Sequence, residues 1–230
     1  MNKNKVTLKS CYIDDDNYEI GIDEAGRGPL FGRVYTSGVV LPKDNSFKHE
    51  LMCDSKKIKS LKKMRELSEY IKENAIAWSV DFQDNHTIDK INIRQSVLMS
   101  MHNSARKVIE QLSVPKATLL VDGNDFKPFI NYYNDEIVPC DYHCIKSGDN
   151  TYSSIAAASI LAKYERDMYI IELCEKYPIL DEYYGLKSNK GYGTKKHIDG
   201  IEKYGITDMH RTSYGICNNK NVLIYNNKLI

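Results

Sequence analysis

Apolar positions recur with two periods along the chain. Residues 18–23 read as a strand that the Ala25-Gly26-Arg27-Gly28-Pro29 stretch breaks, and 34–41 is β-rich up to Pro42. Over 60–74, Leu61, Met64, Leu67 and Ile71 fall at helical spacing. Ile76, Trp78 and Val80 alternate, which predicts a strand over 75–82. The clearest amphipathic helix covers 93–112, with Leu98, Met101, Ala105, Val108 and Leu112 on one stripe. Residues 117–121 (Ala-Thr-Leu-Leu-Val) form the unbroken apolar run of a strand buried on both faces.

A further strand is expected over 137–145. A long helix over 153–177 stops at Pro178, and a shorter one covers 195–204. The long helix opens Ser154-Ile155-Ala156-Ala157-Ala158-Ser159, small side chains that allow close approach to a sheet. The Asn-rich last dozen residues read as peripheral. Strands first, then strands alternating with helices, predict an α/β layered domain with a mixed sheet. We expect a polar N-terminal segment (1–17), a catalytic core (18–180) and a helical, substrate-contacting C-terminal portion with a tail (181–230).

Composition narrows the classes. The 230 residues are 42% apolar and 27% charged, as in ordinary globular proteins. Lys and Arg total 32 against 31 Asp and Glu, so net charge argues neither for nor against a nucleic-acid partner. The chain has no apolar run of membrane-spanning length and no secretory h-region, and its 6 cysteines show no CxxC pairing, so an intracellular protein, cytoplasmic or nucleoid-associated, is expected. Cys140 and Cys144 are read as small buried apolar residues rather than half of a zinc site.

The acids carry the chemistry. Asp23 and Glu24 end an apolar strand, Asp122 ends the most apolar strand, and Asp149 precedes the long helix. Each has a plain alternative: a solvated strand end, a turn residue beside Gly123, a helix cap. Together they place carboxylates at one sheet edge, where α/β proteins keep their sites. Converging carboxylates repel unless a hard cation such as Mg2+ or Mn2+ neutralises them. A pair of such ions can activate water and stabilise a phosphodiester leaving oxygen.

These residues belong to motifs that carry a family likeness. Ile20-Gly21-Ile22-Asp23-Glu24-Ala25-Gly26-Arg27-Gly28-Pro29-Leu30 resembles the signature of ribonuclease HII. Asp54-Ser55-Lys56-Lys57-Ile58, Ile88-Asp89-Lys90-Ile91-Asn92-Ile93 and Leu120-Val121-Asp122-Gly123-Asn124 resemble further motifs of that family. So do Lys146-Ser147-Gly148-Asp149 with Ile155 to Lys163, Lys190-Gly191-Tyr192-Gly193-Thr194, and His210-Arg211-Thr212-Ser213-Tyr214. All occur in the family's order. Gly26-Arg27-Gly28, where the sister family ribonuclease HIII carries Gly-Thr-Gly, favours type HII.

The resemblance implies a ribonuclease H-like fold: a mixed central sheet flanked by helices, with a small helical C-terminal portion. It implies a metal-dependent endoribonuclease that cleaves the RNA strand of RNA–DNA hybrids. It also implies cleavage on the 5′ side of single ribonucleotides in duplex DNA, leaving 3′-OH and 5′-phosphate ends. Two Mg2+ or Mn2+ ions would be held by Asp23, Glu24, Asp122 and Asp149. Gly26, Arg27 and Gly28 would sense the 2′-hydroxyl, and Tyr192 would stack on the next deoxyribose, although with 17 tyrosines in the chain most are structural. Lys56, Lys57, Lys163 and Arg211 are expected on phosphates. Two basic runs, Lys56 to Lys63 and Lys187 to His197, would flank the duplex or form solvated faces.

Arg33, Tyr35, Thr36 and Ser37 depart from the family's pattern of small or apolar residues. The tail carries no clamp-binding sequence, and a monomer is expected. The rival classes are a catalytically silent nucleic-acid-binding module and a DNA nuclease on the same fold.

Overall fold

The computed structural model describes residues 8–225, 228 and 229. The chain divides into two compact units. The first comprises the described residues of Met1–Ala25, Thr36–Asp81 and Leu98–Tyr164; the second comprises those of Gly26–Tyr35, Phe82–Val97 and Glu165–Ile230. The first seven residues of the expected polar segment, and part of the expected tail, lie outside the described residues.

A mixed five-stranded sheet organises the fold. Its strands are β1 (Glu19–Ala25), β2 (Val34–Val40), β3 (Ala77–Gln83), β4 (Thr118–Asp122) and a strand at Tyr142–Ile145, β7 in chain order after the hairpin strands β5 (Phe129–Tyr133) and β6 (Glu136–Cys140). The sheet order is β3-β2-β1-β4-β7, with β4 parallel to both β1 and β7. Parallel neighbours on both sides explain the apolar centre of β4: Leu119, Leu120 and Val121 are fully buried.

The predicted strand over 137–145 is corrected. It divides at Asp141 into β6, which pairs antiparallel with β5, and β7, which joins the main sheet. The β5–β6 loop is the two-residue Asn134-Asp135, both at positive φ (49° and 64°), the geometry that tight hairpins demand. Cys140 and Cys144 therefore sit on different strands, and Cys144 is exposed rather than buried. All six cysteines are free thiols.

Helix α1 (Leu61–Asn74) starts where the side chain of Ser60 accepts the Lys63 N–H and packs Met64, Leu67 and Ile71 inward. Helix α2 (Asn85–Leu112) begins eight residues before the expected start. It contains a break at Asn92 (φ 67°), whose side chain caps the next segment by accepting the Gln95 N–H. Asp84 caps the first segment through the Thr87 N–H.

Helix α3 (Ser153–Lys176) brings Ala156, Ala157 and Ala158, all fully buried, against Val39, Met64 and Ile71. Gly21 of β1 faces its first turn so closely that a Cβ there would lie 2.2 Å from the carbonyl carbon of Ser154. In the second unit, α4 (Ile179–Tyr184), α5 (Leu186–Asn189) and α6 (Lys195–Tyr204) enclose a core of Phe31, Ile170, Leu180, Tyr184, Leu186 and Ile201.

The departures Thr36 and Ser37 bury hydroxyls, and each is paired. Thr36 Oγ1 bonds Ser100 Oγ (2.8 Å) and Ser104 Oγ (2.9 Å), and Ser37 Oγ donates to the Ser79 carbonyl (2.8 Å). Arg33 lies between the rings of Phe82 (3.8 Å) and Tyr169 (4.6 Å), so aromatic faces replace the expected small residue's neighbours. No helix among the described residues is long and apolar enough to cross a membrane.

Candidate active site

Asp23 is 5% exposed near the C-terminal end of β1. Its Oδ1 accepts the Glu24 N–H at 2.7 Å, and the Ser159 hydroxyl of α3 bonds the same carboxyl group. Burial pushes its pKa well above the ordinary carboxylate range, and the charges of Glu24 and Asp122 push it the same way. Asp122 ends β4, and its Oδ1 accepts the Gly148 N–H at 2.7 Å. A Cβ on Gly148 would fall 2.6 Å from Ile155 Cδ1 and 3.3 Å from Asp122 Oδ1, so the glycine leaves room for both side chains.

Asp149 follows in the 3-10 turn Gly148–Asn150, buried at 5% exposure, and accepts from Asn150 Nδ2 (3.0 Å). Burial, then Asp122 and Asp54, raise its pKa, against a smaller opposing pull from Lys56. All four sequence-predicted carboxylates belong to the first unit.

Lys56 gives an independent reading of this field. Partial burial lowers its pKa, yet Asp149, Asp54, Asp23 and Asp122 together raise it. One ammonium thus feels three of the four expected acids and a fifth, Asp54, which sequence reading did not single out. Asp54 sits in a polar loop, where its side chain accepts the Lys56 N–H (2.9 Å), and only the fold reveals its acidic neighbours. Lys57 Nζ donates to Asn150 Oδ1, beside Asp149. Lys163, half-buried on α3, stands four residues after Ser159 and so on the same helix face.

Oxygen donors with excess negative charge, two of them buried with raised pKa values, fit a hard divalent cation better than any soft metal. Among the described residues no three His, Cys, Asp or Glu side chains already close around one point. Oδ1 of Asp23 and Oδ1 of Asp122 are instead each held by a backbone amide.

The second unit holds the other expected contacts. Gly26 (φ 95°) leaves β1 in a conformation that side chains rarely adopt, and a Cβ there would meet Arg166 Nε at 2.1 Å. Gly28 lies against Tyr192, its added Cβ 3.5 Å from the ring's Cε1. Tyr192 is 50% exposed. The structure therefore brings the Gly26-Arg27-Gly28 loop and Tyr192 together.

Arg211 differs from its expected place on a phosphate. It is fully buried, and its guanidinium donates to the carbonyls of Gly26 (2.7 Å), Arg27 (3.1 Å) and Gly32 (2.9 Å). Its positive charge is spent on loop carbonyls. Asp89 accepts four hydrogen bonds, from the N–H and hydroxyl groups of Thr212 and Ser213. Two of the sequence motifs thus meet there.

His197 also leaves the basic run to which the sequence assigned it. It is fully buried, with Nε2 3.1 Å from Nε2 of the equally buried His210. Burial, then the His197 neighbour, lowers the His210 pKa to about 3. The sign follows. Below about pH 6.5 the unfolded chain binds a proton that the folded one refuses until about pH 3. Stability is therefore complete above pH 6.5 and falls progressively below it, by about 2 kcal/mol at pH 5. Urea titrations at pH 7 and pH 5 check this. The drop should shrink in His210→Asn; an equal drop in both proteins would assign it to other groups.

Residues 20–217 match the family model described as Ribonuclease HII. A ribonuclease HII from Bacteroides thetaiotaomicron is 43% identical over 205 residues, covering 89% of this chain and 93% of the relative. The ribonuclease HII in a complex with PCNA from Archaeoglobus fulgidus has a TM-score of 0.64 at 23% identity, covering 86% of this chain and 95% of that one. Bst ribonuclease HIII in complex with Mn2+ gives 0.61 at 18% identity, covering 93% and 69%. The two structural likenesses show the ribonuclease H-like fold. Ribonucleases H act on RNA–DNA hybrids and depend on divalent metal ions. A match over most of its length, with relatives above 40% identity, shows that the chain belongs to the ribonuclease HII family and is a ribonuclease H hydrolase.

Proposed function

We propose that this ribonuclease H cuts the RNA strand of hybrids and also incises duplex DNA on the 5′ side of a single embedded ribonucleotide, leaving 3′-OH and 5′-phosphate ends. The observation that carries the reading is the shared field of Asp23, Asp122, Asp149 and Lys56, with Asp23 buried beside Glu24. Asp23, Glu24, Asp122 and Asp149 would hold two Mg2+ or Mn2+ ions. Those ions, when bound, activate the attacking water and stabilise the leaving oxygen.

The chain's own groups do the rest. Lys56 offsets part of the acidic charge that would otherwise repel a phosphodiester, and Lys57 and Lys163 add positive charge for the backbone. The Gly26-Arg27-Gly28 loop offers backbone groups to the 2′-hydroxyl, and its glycines let a sugar approach closely. Arg27 forks onto a phosphate. Tyr192 stacks on the following deoxyribose, so that the RNA-to-DNA junction is read.

The working form is a monomer, and no recognised motif supports recruitment by a sliding clamp. The described part of the tail adds no clamp-binding sequence, although the Archaeoglobus fulgidus neighbour was solved with PCNA. The test is digestion of an end-labelled DNA duplex containing one ribonucleotide, beside an RNA–DNA hybrid and an all-DNA duplex, in Mg2+ or Mn2+. Products with 3′-OH and 5′-phosphate ends, cut 5′ to the ribonucleotide, are expected. Cleavage of hybrid alone would remove the junction reading, and cleavage of all-DNA duplex would replace it with a DNA nuclease.

A further inference from the structure

We infer that Arg166 and His197 are positioning residues for Tyr192: buried donors that fix its loop and thereby set the discrimination between a lone ribonucleotide and a continuous hybrid. The inference rests on the junction reading proposed above. Its observation is separate. Three consecutive carbonyls, of Lys190, Gly191 and Tyr192, are each taken by a different donor. Arg166 Nη2 donates to Lys190 O (2.9 Å), the Leu30 N–H to Gly191 O (2.8 Å), and His197 Nδ1 to Tyr192 O (3.0 Å), which also accepts the Thr194 N–H (2.8 Å). Lys190 and Gly191 are both left-handed (φ 52° and 83°), a conformation that a lysine holds only when its surroundings impose it.

Arg166 also binds the facing loop. Its Nε donates to Arg33 O (3.3 Å) and its Nη2 to Phe31 O (3.4 Å), so one guanidinium ties the 26–33 segment to the 190–192 segment. It is 2% exposed, and the missing Cβ of Gly26 makes the room for it. Burying a cation costs several kcal/mol unless its hydrogen bonds are satisfied, and here backbone carbonyls of two loops satisfy them. A lysine keeps the charge but lacks the planar fork needed to reach both loops at once. The guanidinium carbon lies 6.0 Å from the centre of the Tyr192 ring.

The direction of the histidine bonds follows from one obligatory donor. The Thr207 N–H points at His210 Nδ1 (2.9 Å), so that nitrogen is an acceptor and the proton sits on Nε2. His210 Nε2–H then donates to His197 Nε2, which leaves the His197 proton on Nδ1, aimed at the Tyr192 carbonyl. The relay runs one way only while both rings are neutral, because two protonated Nε2 atoms would face each other. Both rings lose basicity through burial. Among the described residues no carboxylate takes part in the relay. The groups packed on it are the rings of Tyr184 (5.0 Å from His210) and Phe31 (5.1 Å) and the Thr207 hydroxyl (2.9 Å from Nδ1).

The experiment measures kcat/KM on a one-ribonucleotide duplex and on a continuous hybrid, and takes their ratio. It uses the wild type, Arg166→Lys, Tyr192→Ala and the double variant. Arg166→Lys should lower the ratio about tenfold, the loss of one hydrogen bond to a charged donor. Tyr192→Ala should lower it at least as far, and the double variant no further, because both act through one ring. An unchanged ratio in Arg166→Lys, or losses that multiply in the double variant, overturns the inference. If Arg166→Lys does not fold, His197→Ala carries the test: its ratio should fall and that of His197→Asn, whose amide replaces Nδ1–H, should recover. Equal ratios in those two overturn it. A wild type that cuts hybrid but not the one-ribonucleotide duplex removes the proposed function, and this inference with it. A Tyr192→Ala ratio equal to wild type removes Tyr192 as reader and leaves the two donors nothing to position.

Discussion

Asp23→Asn should abolish cleavage while raising the melting temperature of the metal-free protein. Losing a group that merely supports a metal ligand costs about 10–100-fold. Losing a ligand itself should cost about a thousandfold or more, on hybrid and on one-ribonucleotide duplex alike. The stability change has the opposite sign. Asp23 is buried beside Glu24 and within the field of Asp122, so its charge opposes folding at neutral pH. Asn keeps an oxygen for the Glu24 N–H and removes the charge. A gain of about 1 kcal/mol, roughly 2–4 °C in a chain of this size, is expected by calorimetry in chelator. Saturating Mg2+ should then stabilise the wild type by about 2–3 kcal/mol and the variant by much less, since a cation that binds only the folded state shifts the equilibrium by mass action. Cleavage within tenfold of wild type would remove Asp23 from the chemistry. A lower melting temperature would make its carboxylate a structural prop.

The carboxylates were legible because their position is a property of the pattern. An acid that ends an apolar run ends a strand, and parallel strands deliver their ends to one edge. The long helices were legible for a similar reason, since α1 and α3 keep one apolar stripe or one run of small residues. The hairpin escaped because its pattern is inverted. Ile130, Tyr132 and Ile137 are exposed (42%, 68% and 66%), while Asn131 between two of them is buried at 5%. Alternation alone cannot tell which face a hairpin turns inward. Yet Asn134-Asp135 was a readable turn signal. The start of the main segment of α2, just after Asn92, was legible, whereas the helical segment from Asn85 to Ile91 before it was not. The buried polar side chains were the least legible. Arg211, Arg166 and His197 stand among polar neighbours in sequence, where exposure is the ordinary outcome. The fold gives them their partners, chiefly backbone carbonyls, with the His210 ring on His197 and the Tyr214 hydroxyl on Arg211. Asp54 became part of the acidic field for the same reason, through chain segments far from it in sequence.

The second large effect concerns a glycine rather than an acid. Gly21→Ala should destabilise the protein by about 3 kcal/mol or more, lowering the melting temperature by roughly 6–12 °C. An added Cβ would lie 2.2 Å from Ser154 C, 2.4 Å from Ile155 N and 2.5 Å from Ser154 O. All three are backbone atoms in the first turn of α3, so no side-chain rotation relieves the clash. Either β1 leaves its register with β4, where Gly21 faces Leu120, or the helix withdraws. Withdrawal reaches the chemistry, because α3 also carries Ser159, whose hydroxyl holds Asp23, and Lys163 one turn further on. Activity should therefore fall together with stability, even at temperatures where the variant is fully folded. Gly38→Ala on β2 calibrates the result. Its added Cβ meets the methyl carbons of Ile20 and Val108 at 3.3 Å and Ser104 O at 3.4 Å, and methyl groups can shift by a few tenths of an ångström, so a loss of about 1 kcal/mol is expected. The ordering of the two variants carries the argument. If Gly38→Ala proved the more damaging, or if Gly21→Ala melted within 2 °C of wild type at full activity, the close seating of α3 on β1 would not be what holds Ser159 against Asp23.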